Sequence, residues 1–287
     1  MLKILLWFVS KDTYCLETSL NILDGQHGGI ELVGTATGEE IISLDCRACD
    51  VVLVVGARKI GVSKIVGAAR QLNVPEEKLL CDCIVPLPGF ALDKYRRLQR
   101  ARLSVVSMNC FGGFISHMLG LPFRSPFVNL WLSEKDFLKF LYAPKFYLET
   151  EPKFERLDHP WELFPNGYPI VSLGDVTLNM MHYKTFEESV DAWNRRKARI
   201  NRYNLLVTMY TESEETLREF DALPYGKKVC FVPFKSDADS AWYINPNVDA
   251  DAKNFTEVVN RFSCGHYIYF DLFDMLLYGK KTPTVEM

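Results

Sequence analysis

Between Ser104 and Phe127 the chain reads SVVSMNCFGGFISHMLGLPFRSPF, placing a thiol (Cys110), an amide (Asn109), two glycines (Gly112, Gly113), His117, Arg124 and Ser125 in one short span. A cysteine where a strand turns through glycines into a helix has two uses. Backbone N–H groups at the turn can seat an anion, and a thiolate there is stabilised for nucleophilic attack. The plain alternative is a buried thiol beside glycines needed for tight packing. A second constellation lies further on: Asp175, then His182-Tyr183, then Arg195, Arg196, Lys197, Arg199 and Arg202. Clustered arginines suit bidentate phosphate recognition, and a polar helix face explains them equally well. Taken together, the two stretches predict one cleft with the Ser104–Phe127 stretch as one wall. Asp175, His182 and the Arg195–Arg199 face form the other.

Other motifs are weaker. Gly56 and Gly61 have P-loop spacing, but Val62-Ser63 follows where Lys-Ser/Thr is required, and the segment after the first strand, SKDTYCLETSL, lacks the glycines of a dinucleotide fingerprint. Cys46/Cys49 and Cys81/Cys83 suit small apolar packing better than a zinc knuckle. Asp237-Ala238-Asp239 and Asp249-Ala250-Asp251 have the Asp-x-Asp form that holds a cation in sugar transferases. No metal ligand and no cofactor is assigned.

The elements that must position these residues follow from hydrophobic patterning. Residues 2–9, 30–34, 51–56 and 78–86 are strand-length apolar runs, and 62–72 between the last two is helical, which is a βαβ unit. Residues 1–98 are therefore expected to form a Rossmann-like parallel sheet without a glycine-rich fingerprint. Pro86 to Gly89 and a basic helical connector lead into a second α/β domain, 99–287. There, 170–175 and 176–183 predict a hairpin, and Thr185-x-x-Glu188 predicts a helix start. That helix should bury Phe186, Val190 and Trp193 and expose Asp191, Arg195 and Arg199. Residues 203–234 predict strand, helix, strand, and 267–278 a closing helix. The fold class expected is two α/β domains.

The 287 residues carry a formal charge of −3 and are 48% hydrophobic, which disfavours a general nucleic-acid grip. No run reaches the roughly 18 apolar residues of a membrane span. The eight cysteines suit a reducing compartment, so a cytoplasmic location is expected.

The second domain resembles the bacterial family catalogued as exopolysaccharide biosynthesis proteins. The resemblance rests on SMNCFGGFISHMLGLPFRSPFVNLW, KFLYAPKFYL and GDV…HYKTFEESVDAWNRRKARIN, over about residues 101–235. It implies a role in making surface polysaccharide and carries no assigned mechanism. Asn109, Cys110, Gly112, Gly113, Ser125, Asp175, His182, Tyr183, Trp193, Arg195, Arg196 and Arg199 stand where the recurring motifs match. The function expected is a transferase acting on a phosphate-bearing sugar or nucleotide sugar, with His182 or Asp175 as base and the arginines on phosphate. One alternative is a cysteine-dependent acyltransferase or hydrolase using Cys110 with His117 or His182. Another is a non-catalytic ligand-binding protein of the same pathway. A homo-oligomer is a further option.

Overall fold

The computed structural model describes residues 1–158, 165–263 and 270–281. Residues 267–269 of the expected closing helix, and 282–287, lie outside the described residues. The rest clusters into two compact units: 1–101 with 116–122 and 270–281, and 102–115 with 123–158 and 165–263.

In the first unit, β1 (Leu2–Phe8), α1 (Leu16–His27), β2 (Ile30–Thr37), β3 (Val51–Val55), α2 (Ala57–Ile60), α3 (Val62–Gln71), β4 (Leu79–Cys81) and α4 (Leu92–Arg100) build a parallel sheet of order β2-β1-β3-β4. Every residue of β3 is fully buried, as a central parallel strand covered on both faces requires. α3 buries Val62, Ile65 and Ala69 at three- and four-residue spacing. The expected fourth strand is shorter than its apolar run: it stops at Cys81, and the chain turns through 82–89. The P-loop-like segment binds its own protein. Gly56 sits at φ +83 with its N–H donating to Asp82 Oδ2 at 2.9 Å, and a Cβ there would lie 2.2 Å from Ser10 Oγ.

In the second unit the chain runs β5 (Ser104–Ser107), α5 (Phe111–Met118, its last turn counted with the first unit), α6 (Glu134–Tyr142), α7 (Pro144–Glu149), β6 (Lys153–Leu157), β7 (Pro169–Leu173), β8 (Val176–Asn179), α8 (Phe186–Lys197), β9 (Leu205–Tyr210), α9 (Glu214–Asp221), β10 (Lys228–Val232), β11 (Ala241–Tyr243) and α10 (Phe255–Ser263). A parallel sheet, β11-β10-β9-β5, is accompanied by an antiparallel meander, β6-β7-β8. The expected hairpin is β7-β8, turning at Gly174 with φ +62. Phe127 centres the core, 4.7 Å from Phe140 and 5.6 Å from Trp193 between ring centroids. α8 starts as expected, Thr185 Oγ1 accepting from Glu188 N at 3.1 Å, while the Glu188 carboxylate accepts from Lys184 N. Its buried stripe is Ser189, Ala192 and Trp193, with Phe186 and Val190 only half-buried.

The last described helix, α11 (Leu272–Tyr278), belongs to the first unit. Phe273 packs edge-on to Phe90 at 5.6 Å, and Lys94 lies 2.8 Å from Asp274. This segment and 116–122 are placed in the second domain by a linear reading; tertiary packing assigns them to the first unit.

Candidate functional site

The site begins where β5 ends. Ser107 Oγ donates to the Asn109 carbonyl at 2.7 Å and accepts from Gly112 N at 3.0 Å, and Asn109 Oδ1 accepts from Phe111 N at 3.1 Å. These two side chains satisfy N–H groups that a helix start otherwise leaves open. The anion seat expected at this turn is therefore filled from within at Phe111 and Gly112. The glycines serve packing: a Cβ on Gly112 would be 3.0 Å from Ser107 Oγ and Val105 Cγ1, and one on Gly113 would be 3.0 Å from Val128 Cγ1.

Met108 then anchors the neighbouring loop. Its carbonyl accepts from Leu132 N at 2.8 Å, and Trp131 exchanges backbone bonds with Asn179 at 3.1 and 3.0 Å. The loop 129–132 is thereby fastened to the ends of both β5 and β8. His182, three residues beyond β8, donates its N–H to Asn129 O at 3.4 Å. The result is a cavity of about 480 Å3 at the carboxyl end of the parallel sheet. It is lined by Met108, Asn109, Cys110, Trp131, Leu132, Met181, His182, Tyr210, Thr256 and Asn260. Crevices at the carboxyl ends of parallel strands are where open α/β sheets bind ligands.

Asn109, Cys110 and His182 thus come together as expected. Cys110 is half-buried, and burial holds His182 below the usual imidazole range, favouring the neutral form that can accept a proton. Trp131, 36% exposed, supplies an aromatic face, and burial raises the Tyr210 phenol. Among the described residues the lining holds no carboxylate, lysine or arginine.

The remaining expected site residues lie elsewhere. Asp175 occupies the β7-β8 turn, 2.8 Å from Lys139 Nζ and accepting from Tyr147 OH at 2.8 Å; these bonds lower its pKa, and it is absent from the cavity lining. Ser125 is buried, its Oγ accepting from Phe127 N at 3.2 Å. Tyr183 donates to Val128 O at 3.0 Å and accepts from Arg196, which also bonds Val128 O at 3.3 Å and lies over Phe123. Arg196 and Tyr183 therefore pin the 123–128 loop. Asp249, of the second Asp-x-Asp pair, is buried and ion-paired with Arg261. His117, the other base considered for Cys110, bonds Ser63 Oγ through Nδ1 at 3.0 Å within the first unit.

The arginines separate. α8 ends at Lys197, so Arg199 leaves the helical face on which Arg195 stays exposed. Arg199 joins Arg102, Arg124 and Arg202 around a basin at the opposite, amino end of the sheet. β5 and β9 run parallel with Ser104 opposite Leu205, so Arg102 and Arg202 precede the two strands, whereas Asn109 follows β5 and Tyr210 is the last residue of β9. The strand between Arg102 and Asn109, β5, runs four residues, Ser104–Ser107, about 13 Å at about 3.3 Å per residue. Residues expected to share a single cleft thus line two separate cavities.

Ser107, Trp131, Met181, Tyr210, Thr256 and Asn260 are not singled out by sequence reasoning. A strand-end Ser two residues before Asn and five before Gly is the signal that was available for Ser107.

The fold is that of a two-unit α/β protein with an uncharged cavity at the carboxyl edge of the second unit's parallel sheet. The chain belongs to the family described as "Domain of unknown function (DUF1919)", which matches residues 88–278. It is also similar to a protein of Haemophilus influenzae described as "Uncharacterized protein": 37% identical over 153 residues, 52% of this chain and 71% of the relative. No helix among the described residues is long and apolar enough to cross a membrane.

Proposed function

We propose that this protein is an enzyme of surface-polysaccharide assembly that transfers a phosphate-bearing sugar, with the sugar ring held in the carboxyl-edge cavity. The observation that carries this reading is the meeting of His182 with Asn109, Asn260, Thr256 and Trp131 around one cavity. An aromatic face with a few neutral donors and acceptors is the lining a sugar ring needs. His182, held toward its neutral form by burial, takes the proton of an acceptor hydroxyl as general base; the acceptor oxygen bonds to the anomeric carbon as the sugar–phosphate bond breaks and the phosphate or nucleoside diphosphate leaves. The pathway itself rests on the sequence resemblance. On this reading the base is His182 rather than Asp175, which is absent from the cavity lining, and the arginines do not clamp phosphate at the reacting centre.

The test is a screen of nucleotide sugars and sugar phosphates by thermal shift, followed by turnover assays on any ligand that binds. His182→Gln is expected to retain binding while turnover falls. Trp131→Ala is expected to weaken binding. Wild-type turnover in His182→Gln would refute the assigned base.

A second reading is favoured by Cys110 lining the same cavity as His182: acyl transfer or hydrolysis through the thiolate. Cys110→Ser separates the two, because it abolishes thiolate chemistry and leaves transfer to a hydroxyl largely intact.

A further inference from the structure

We propose that the amino edge of the second unit's parallel sheet is a separate site for a phosphate-headed amphiphile. Its phosphate sits among Arg102, Arg124, Arg199 and Arg202, and its hydrocarbon chain lies in the adjoining apolar groove.

Two concavities meet here. The basin, about 680 Å3, is lined by those four arginines with Ala198, Ile200, Asn201 and Tyr203. The groove, about 520 Å3, is lined mainly by apolar side chains, among them Phe140, Leu141, Leu148 and Leu205, with Lys145 and Lys227 also on its wall. Ile200, Arg202 and Tyr203 belong to both, so the charged basin opens directly into the apolar groove. Neither lining contains an Asp or Glu, in a chain whose acidic residues outnumber its basic ones, 36 to 33.

The arginines are gathered without carboxylate partners. None of the four takes part in an ion pair among the described residues. Their mutual repulsion is visible at Arg124, where burial, Arg102 and Arg199 all lower the pKa. Like charges held together need an opposing framework, and the backbone supplies it. Buried Ser104 donates through Oγ to Arg124 O at 2.7 Å and accepts from Asn201 N at 2.9 Å, while Asn201 Nδ2 donates to Arg102 O at 3.0 Å. One hydroxyl and one amide thus hold three arginine-bearing segments together. A phosphate satisfies the guanidinium groups bidentately and removes the repulsion. Tyr203, fully exposed where the two concavities join, is placed to cover the head of a bound chain.

Such an occupant accounts for both halves. A free anion leaves the groove unused, and a neutral lipid leaves four cations unpaired. The site stands independently of the carboxyl-edge cavity, so either can fail alone.

The experiment is calorimetric titration of the full chain with dodecyl phosphate below its micelle concentration, inorganic phosphate, dodecyl maltoside and a short single-stranded oligonucleotide. Dodecyl phosphate is expected to bind at least about 100-fold more tightly than inorganic phosphate, since each buried methylene contributes roughly fourfold. Arg199→Gln with Arg202→Gln is expected to lose about tenfold or more of that affinity while keeping the melting temperature. Leu148→Asn, or Ile200→Asn should the first not fold, is expected to remove the chain's advantage and leave the phosphate response. His182→Gln should bind dodecyl phosphate as wild type does. Equal affinity for dodecyl and inorganic phosphate would overturn the proposal in favour of a simple anion site. Unchanged binding in the arginine double variant, or tighter arginine-dependent binding of the oligonucleotide, would overturn it equally.

Discussion

The two ends of one parallel sheet have opposite chemistry. At the carboxyl end, helix-start N–H groups are satisfied by Ser107 and Asn109, and the cavity presents neutral groups: Cys110, His182, Tyr210, Thr256 and Asn260. At the amino end, arginines are assembled without counter-charges around Ser104 and Asn201. On the reading proposed above, one end holds and deprotonates an uncharged group, and the other receives a charge. Arginine clusters and reactive residues close in sequence therefore need not share a site, because a single strand of β5 separates them.

The sharpest way to break this contrast is His182→Gln. Turnover at the carboxyl end should fall about 10²–10⁴-fold, the usual contribution of a positioned base. Binding at the arginine basin should not change. The same residue makes a pH prediction. Its folded pKa lies below the unfolded value of about 6.5, so the folded state takes up its proton less readily. The stability it contributes is present above about pH 6.5 and is lost as pH falls through the folded value. His182→Gln should flatten that acid-side slope in denaturant titrations; an unchanged slope would place the titrating group elsewhere.

Next in size is Ser104→Ala, which strands the Asn201 N–H and removes a bond to Arg124 O. A loss of about 1–3 kcal/mol is expected by chemical denaturation. Phosphate affinity should fall with it, because the framework of the basin loosens, while the cavity should be spared. Gly112→Ala does the reverse. Its Cβ meets Ser107 Oγ and the Val105 backbone oxygen at 3.0 and 3.1 Å, so about 1–2 kcal/mol is expected to be lost, together with cavity function and with the basin intact. The smallest effect is Arg199→Gln without ligand. Relief of repulsion should leave stability within about 0.5 kcal/mol of wild type, slightly raised at low salt, with the difference vanishing at high salt.

Much of this architecture is legible in the sequence. Strands β1 and β3 and helix α3 appear as apolar runs and helical spacing because parallel strands covered on both faces need continuous hydrophobicity. The α8 start is legible because Thr185 caps it locally. Asn109, Cys110 and His182 stand out by residue type. Their neighbours do not: Trp131, Tyr210, Thr256 and Asn260 are ordinary residues locally and gain a role only when the 129–132 loop is fastened between Met108 and Asn179. The arginines mislead for a definite reason. α8 stops after Lys197 with neither Gly nor Pro to mark it, so spacing along a helix assigns Arg199 to a face it does not occupy. Its companions Arg102 and Arg124 come from segments about 75 to 100 residues earlier, joined by bonds to Ser104 that no local pattern announces. The last helix illustrates the same limit, since its ion pairs with Lys94 span most of the chain.

The most direct test of the central claim, that the carboxyl-edge cavity is the sugar site, is the rate at which Cys110 is alkylated by iodoacetamide, followed by peptide mass spectrometry. A sugar ligand that raises the melting temperature should slow Cys110 labelling in proportion to its occupancy, while dodecyl phosphate at the arginine basin should not. Unchanged Cys110 labelling at saturating sugar would contradict the account.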